Sequence, residues 1–261
     1  VKKGSSYEIY NQQVNKNYSA LNKFTNFELG QDSIANLQLG DAKRQINLVD
    51  NKVVIDGVLN SLRENGMIGG DIYFFSGNGI AVGATGVINV GSLTLGTNMS
   101  AGQIIFNDWD KYNKQTITNK SRSIAGGGDI TINGKINSIG DVILGAKNVN
   151  VEAGANINTG ASFEVPNSAW TTADDYRSNF MNLTGVDKAT SATKTSTGDV
   201  VLFGVSAVNF KGDAYTAGGD FKAVSDSVIS FTGTSSGDKA TVITNGGDVS
   251  LSVQRDERAN V

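Results

Sequence analysis

Apolar and polar residues alternate along most of this chain, in short runs cut by single glycines. The clearest stretch opens at Gly70-Asp71-Ile72-Tyr73-Phe74-Phe75. It continues through Ser76-Gly77-Asn78-Gly79-Ile80-Ala81-Val82-Gly83 to Ser92-Leu93-Thr94-Leu95. A period of two sends successive side chains to opposite faces of an extended strand, one inward and one to solvent. A helix needs apolar residues three or four apart, and these runs are too short and too often broken by glycine to supply them. Upstream, Phe24, Phe27, Leu29, Ile34, Leu37 and Leu39 place apolar groups among polar ones, and Ile46, Leu48, Val53 and Ile55 predict further short strands. Residues 58–64 fit a helical turn or a strand equally. Residues 1–20 are polar and Asn-rich and predict a loosely tied arm.

The pattern returns. Gly140-Asp141-Val142-Ile143-Leu144 matches Gly70-Asp71-Ile72-Tyr73-Phe74 at a shift of 70. Val149, Val151, Ala153, Ile157, Asn158 and Gly160 match Ile80, Val82, Ala84, Ile88, Asn89 and Gly91 at a shift of 69. That spacing divides into three units of about 23 residues, a length at which stacked repeats bury one another's apolar faces. The Gly-Asp opening recurs at Gly128-Asp129, Gly198-Asp199, Gly219-Asp220 and Gly247-Asp248. Glycine turns a corner at positive φ without a Cβ clash, and Asp is expected to hydrogen-bond its own backbone across the turn. Asn78, Asn89, Asn133, Asn137, Asn150, Asn158 and Asn209 are expected to stack and hydrogen-bond from one level to the next.

These features predict one all-β domain over residues 1–261, a solenoid of stacked strands. Residues 1–60 form its N-terminal arm and cap, and residues 61–261 its coils. Nine to eleven coils spaced by about 4.8 Å would make a rod of about 45–50 Å. Two stretches interrupt the repeat, residues 105–123 and residues 163–197, and hold Trp109, Pro166, Trp170, Tyr176, Phe180 and Met181. They are expected to be β excursions outside the coils, with their aromatic rings docked on the side of the stack. The charged end Gln254-Arg255-Asp256-Glu257-Arg258 carries no cap, which leads to the expectation that the chain is a piece of something longer.

Composition removes several function classes. With 32 Gly but a single Pro, the glycines do not mark a disordered tract. A net charge of −3 leaves no basic stripe for nucleic acid. Cys and His are both absent, which excludes thiolate zinc sites, disulfides, Cys nucleophiles and His bases. No apolar run approaches the roughly 20 residues that span a bilayer. Val1-Lys2-Lys3-Gly4-Ser5-Ser6 has no apolar segment after its basic pair and is not an intact signal peptide. A glycosidase needs two facing carboxylates. The clustered pairs in loop-like segments are Asp108 with Asp110 and Asp174 with Asp175, and such residues ordinarily cap turns. The Gly-Asp openings lack the nonapeptide pattern of calcium-binding repeats. No enzyme activity, cofactor or metal is expected.

The run from Ser76 to Thr97, Ser-Gly-Asn-Gly-Ile-Ala-Val-Gly-Ala-Thr-Gly-Val-Ile-Asn-Val-Gly-Ser-Leu-Thr-Leu-Gly-Thr, resembles a known signature. It is that of the two-partner secretion domain, also called the haemagglutination-activity domain, of filamentous-haemagglutinin-like exoproteins. The family writes Asn-Pro-Asn-Gly-Ile where this chain has Ser76-Gly77-Asn78-Gly79-Ile80, and follows it with an Asn-x-x-Gly strand ending in Ser/Thr-Leu where this chain has Ile88-Asn89-Val90-Gly91-Ser92-Leu93-Thr94-Leu95. Residues 20–29, with Asn22, Phe24 and Phe27, resemble the family's early Asn-x-Phe-x-x-Phe segment, and residues 53–59 its Ile-x-Gly-x-Leu segment. A second family motif, Asn-Pro-Asn-Leu, is not present. The wording matches over about residues 7–100 and the rest by repeat character.

The resemblance implies a right-handed parallel β-helix with an N-terminal cap. It also implies export across the inner membrane of a two-membrane bacterium and recognition in the periplasm by the soluble domains of an outer-membrane barrel transporter. Folding then follows at the cell surface or in the medium. The residues expected to serve recognition or nucleation are Asn78, Gly79, Ile80, Asn89, Gly91, Asn22, Phe24 and Phe27. The chain is expected to be a monomer and not to bind nucleic acid. An alternative is a surface adhesin, a rod binding a host receptor or glycan through its two insertions.

Overall fold

The computed structural model describes residues 6–161, 163, 171–180, 198–233 and 239–254. Pro166, Trp170 and Met181, and the ring of Phe180, lie outside the described residues, and so do the expectations placed on them.

Strands hold 48% of the structure and helices 12%, and the sheets are parallel. Almost every strand pairs in parallel with strands three or so places away in the chain, which sorts them into three stacks. The first holds β3 (Ser19–Phe24), β6 (Arg44–Val49), β9 (Asp71–Phe75), β12 (Ser92–Gly96), the first halves of β15 (Val142–Val151) and β17 (Val200–Phe210), β19 (Phe221–Ser225) and β22 (Val249–Val253). The second holds β4 (Phe27–Leu29), β7 (Val53–Ile55), β10 (Ile80–Val82), β13 (Ile130–Ile132), the second halves of β15 and β17, and β20 (Val228–Phe231). The two stacks join through β15 and β17, where the register shifts between Ala146 and Asn148. The third is a separate sheet of eight strands: β1 (Ser6–Tyr10), β5 (Ile34–Gln38), β8 (Val58–Leu62), β11 (Val87–Val90), β14 (Lys135–Ser138), β16 (Asn156–Asn158), β18 (Asp213–Tyr215) and β21 (Thr241–Ile243).

In-register pairing lines apolar side chains into columns. Ile72, Leu93, Val142, Val200 and Phe221 form one; Phe74, Leu95, Leu144, Leu202 and Ala223 form the next. All ten are fully buried in one cluster shared by the three stacks. Parallel sheets covered on both faces read as continuous apolar runs, and Ile72-Tyr73-Phe74-Phe75 is such a run. Phe74 points into the shared core, while Tyr73 and Phe75 belong to a second cluster on the outer face of the first stack.

Three helices cover that outer face: α1 (Met99–Asn107), α2 (Trp109–Asn113) and α3 (Ile117–Ser123). The expected β excursion at residues 105–123 is therefore helical. Its start signals are legible in hindsight: Asn98, Asp108 and Thr116 each accept a backbone N–H of the helix they open. In α1 the buried positions are Ala101, Gly102, Ile105 and Phe106, a helical spacing. The aromatic rings do dock on the sheet: the Arg44 guanidinium lies 3.8 Å from the Trp109 ring centre, and Tyr73 meets Trp109 and Tyr112 edge-on.

The same insertion corrects the repeat arithmetic. The shift of 70 is two steps, not three: Ile72 to Leu93 is 21 residues, and Leu93 to Val142 is 49 because the helices lie between. Among the described residues there are eight levels, against the nine to eleven expected, a stack of about 34 Å. Residues 58–62 are a strand. The N-terminal arm is tied down, with β1 parallel to β5 and β2 (Gln13–Val14) antiparallel to β3. The parallel stacks already begin at Ser6 and Ser19, well inside the segment expected to be a cap.

A fourth helix, α4 (Ala173–Phe180), lies on the third stack. Its Ala173 and Tyr176 are buried with Ile34, Val58 and Val87. Arg177 donates to the carbonyls of Gln31, Asp56 and Thr85, the corners of three successive levels. Arg177→Gln is expected to lower stability by about 1–2 kcal/mol. Hydrogen exchange should show the loss first in the α4 amides.

Candidate functional site

Two kinds of polar column run along the stacks. The first is a row of amides on the third stack. Asn60 donates to Asn36 (3.0 Å), Asn89 to Asn60 (2.9 Å), Asn137 to Asn89 (3.0 Å) and Asn158 to Asn137 (2.9 Å), each through Nδ2 to Oδ1. Asn36 closes the row by donating to Glu8 Oε1 at 2.7 Å. At the other end Asn158 Oδ1 is buried and accepts no hydrogen bond among the described residues; the next residue in register is Tyr215. All five side chains are buried. A buried amide costs stability unless paired, and in register each level supplies its neighbour's partner.

The second column stands where strands of the first stack begin. In register it reads Ser19, Arg44, Asp71 and Ser92, and continues one residue before Val142, Val200, Phe221 and Val249 as Asp141, Asp199, Asp220 and Asp248. The expected self-bonding of each Asp across its own turn gives way to bonds between levels. Asp199 N–H donates to Asp141 (2.9 Å), Asp220 N–H to Asp199 (2.8 Å) and Asp248 N–H to Asp220 (2.9 Å). Lys222 pairs with Asp220 at 2.6 Å and Asp199 at 3.5 Å.

Burial pushes the Asp141 carboxyl above the ordinary carboxylate range; the Asp199 N–H, Lys120 and Lys222 oppose the shift and the Asp199 charge adds to it. A carboxyl raised in the folded state adds stability fully below its unfolded value and loses it as pH rises through the folded one. Asp141→Asn keeps the acceptor and removes the buried charge. Its denaturation midpoint is expected above wild type at about pH 7, with the gap closing by about pH 3.

The residues singled out from the sequence fall in three places. Asn78-Gly79-Ile80 forms a corner locked between levels: Asn78 Nδ2 donates to Asp50 O (3.0 Å), and Ile80 N–H to Asp129 O (3.0 Å). Gly79 has φ +98°, and a Cβ there would lie 2.8 Å from Asp129 O, so only glycine fits. Asn78 itself is exposed, at the edge of a groove lined also by Lys52, Asp129 and Lys147. Asn22, Phe24 and Phe27 sit two levels lower, Phe27 being in register with Val53 and then Ile80. Asn22 is buried, bonded to Asn47 and the Gln12 N–H. Phe24 and Phe27 meet edge-on at 5.4 Å beside a groove shared with Tyr7, Glu8 and Ile9. Asn89 lies on the third stack, inside the amide row. At Gly91 a Cβ would meet Gly70 N at 2.4 Å, so this corner packs directly on that of the level below. The structure does not bring the eight together at one surface.

Of the expected asparagine stack, Asn89, Asn137 and Asn158 are in the row, and Asn209 donates to Asn150 in a separate pair. Asn78 is not part of it. Asn36 and Asn60 belong and were missed, because they lie in the segment read as arm and cap. Asp108 caps α2; Asp174 pairs with Arg177; and Asp175 accepts the N–H groups of Thr171 and Thr172 ahead of α4. Among the described residues no three or more His, Cys, Asp or Glu side chains are placed to hold a metal, and no helix is long and apolar enough to cross a membrane. No family model, curated protein or solved structure matches the chain.

Proposed function

We propose that this chain is the secretion module of an exported protein, and that its three stacks are the faces of a right-handed parallel β-helix that templates further folding outside the cell. The observation that carries the reading is the in-register stacking of levels on a covered base. At the lower end β1 lies under β5, and the antiparallel β2 covers β3. Above it the core columns run in register from Ile72 and Phe74 to Phe221 and Ala223. A stack of this kind grows level on level, each level burying the apolar face of the last. The wording of residues 76–97 and of the early Phe24 and Phe27 segment supplies the partner: the periplasmic domains of an outer-membrane barrel transporter. They would engage the chain by strand addition before it folds.

The adhesin alternative rests on the insertions as contact loops. It draws no support from the first of them, whose Trp109 and Tyr112 are turned onto the sheet.

The test is secretion. The chain, carried behind an export signal in a two-membrane bacterium, is expected in the medium only when its barrel transporter is co-expressed, and the transporter's soluble periplasmic domains should capture it from periplasmic extract. Release without the transporter, or no capture, overturns the reading.

A further inference from the structure

A groove of about 480 Å³ opens on the side of the stack, at the corners that join the first stack to the second. The positions just before the second-stack strands read, in register, Lys52, Gly79, Asp129 and Asn148 from the second level to the fifth. The groove therefore belongs to the middle of the fold and uses neither end of it. Lys52 enters from the lowest of these levels and Lys147 from the highest, three steps or ~14 Å apart along the stack. Each four-carbon stem lets its ammonium swing toward the middle. Both residues are exposed, and neither pairs with a carboxylate among the described residues. Lysines at other corners are neutralised: Lys211 by Glu152, and Lys222 by Asp199 and Asp220.

Between the two lysines the lining is largely glycine backbone. Gly79 and Gly128 serve packing: Gly79 has φ +98°, and a Cβ on Gly128 would lie 2.7 Å from Gly77 O. Gly77 and Gly127 do not. Neither has a left-handed φ; a Cβ on Gly127 would meet nothing within 4 Å, and one on Gly77 only Thr97 O at 4.0 Å. Both are exposed. Bare backbone where the fold would admit a side chain is the arrangement that lets a ligand come close. The N–H groups of Gly77, Gly127 and Gly128 donate to no described residue. The one carboxylate in the lining is engaged, Asp129 Oδ1 accepting the N–H and Nδ2 of Asn148 at 3.2 and 2.8 Å.

We infer that this groove binds a tetrahedral oxyanion, a sulfate or phosphate, either as the free ion or as the ester of a larger molecule. Ammonium groups and backbone N–H groups are ligands suited to such an ion. Here they come from several levels and from both ends of the groove. An ion with oxygens on all sides accepts from each of them, whereas a planar carboxylate does not. The inference goes beyond the secretion reading and does not depend on it, since the donors come together only in the folded stack.

Titration calorimetry of the purified chain with sulfate and with phosphate, at an ionic strength held constant with chloride, is expected to show saturable binding at one site. Amide NMR should place the shifts at Gly77, Gly127 and Gly128. Lys52→Gln and Lys147→Gln should each weaken binding about fivefold, and Gly127→Glu should abolish it. Asp129→Asn keeps an acceptor for Asn148, removes the one negative charge of the lining and should tighten binding. Lys114→Gln, at the end of α2, should change nothing. All these positions are exposed, so the β spectrum should persist. Glucose 6-sulfate and glucose 6-phosphate separate the sources: binding at least as tight as that of the bare ion identifies an ester, and weaker binding the free ion. No saturable binding by any of the four, a loss at Lys114→Gln equal to that at the groove lysines, or binding untouched by Lys52→Gln, Lys147→Gln and Gly127→Glu overturns the inference. The result is separable from secretion, which is measured with the transporter in cells.

Discussion

Replacing Asn89 with leucine is expected to destabilise the chain by about 2–5 kcal/mol, a large part of the 5–15 kcal/mol typical of a folded domain. The side chain is fully buried at the centre of the amide row, with Nδ2 on Asn60 and Oδ1 accepting from Asn137. Leucine fills a similar volume but leaves an acceptor on one side and a donor on the other without partners, in a place water does not reach. The end of the row is the control. Among the described residues Asn158 bonds downward, to Asn137, and its own oxygen accepts no hydrogen bond. Asn158→Leu strands one group instead of two and should cost about half as much. Tyr215→Asn, one level on, should offer that oxygen a donor and raise the denaturation midpoint. Urea melts of the three variants give the ordering; equal losses at Asn89 and Asn158 would deny that the row acts through its pairing.

Phe74→Ala is expected to cost about 3–5 kcal/mol. Phe74 is fully buried, stands in the column below Leu95, and meets the Phe27 ring edge-on at 4.9 Å. The levels are held apart by backbone hydrogen bonds and cannot collapse into the space left behind. Phe75, its neighbour on the opposite face, makes a telling comparison. It packs under α1, where a Cβ on Gly102 would come within 2.6 Å of its ring. Phe75→Ala should free the helices, read as faster hydrogen exchange over residues 99–123. Phe74→Ala should instead lower the protection of the strands.

Much of the strand content was legible because its cause is local. Alternation at Ile80 and Val82, or at Ile130 and Ile132, needs no knowledge of the partner strand. The Gly-Asp openings marked strand starts correctly, yet the hydrogen bonds they make run between levels, and a single sequence does not say which residues are neighbours 21 or 58 positions apart. The helices were missed for a related reason. Met99 to Asn107 is too short for its period to stand out, and what fixes it as a helix is the apolar outer face of β6 and β9 waiting to be covered. That face was itself visible as Tyr73 and Phe75 breaking the alternation. The amide row was half legible: Asn89, Asn137 and Asn158 fell within the detected repeat, while Asn36 and Asn60 sat outside it at spacings the repeat did not suggest. The corner at Asn78-Gly79-Ile80 was legible as a turn, because Gly79 obeys a local steric rule.

The amide row has a sense of direction. Every side chain in it gives its hydrogen toward Glu8 and leaves its oxygen facing the other way. A strand that arrives one residue out of step turns its asparagine to the opposite face and meets a bare carbonyl with an aliphatic group. The row thereby proofreads alignment as the stack is laid down, rejecting slipped strands by leaving an oxygen thirsty rather than by creating a clash.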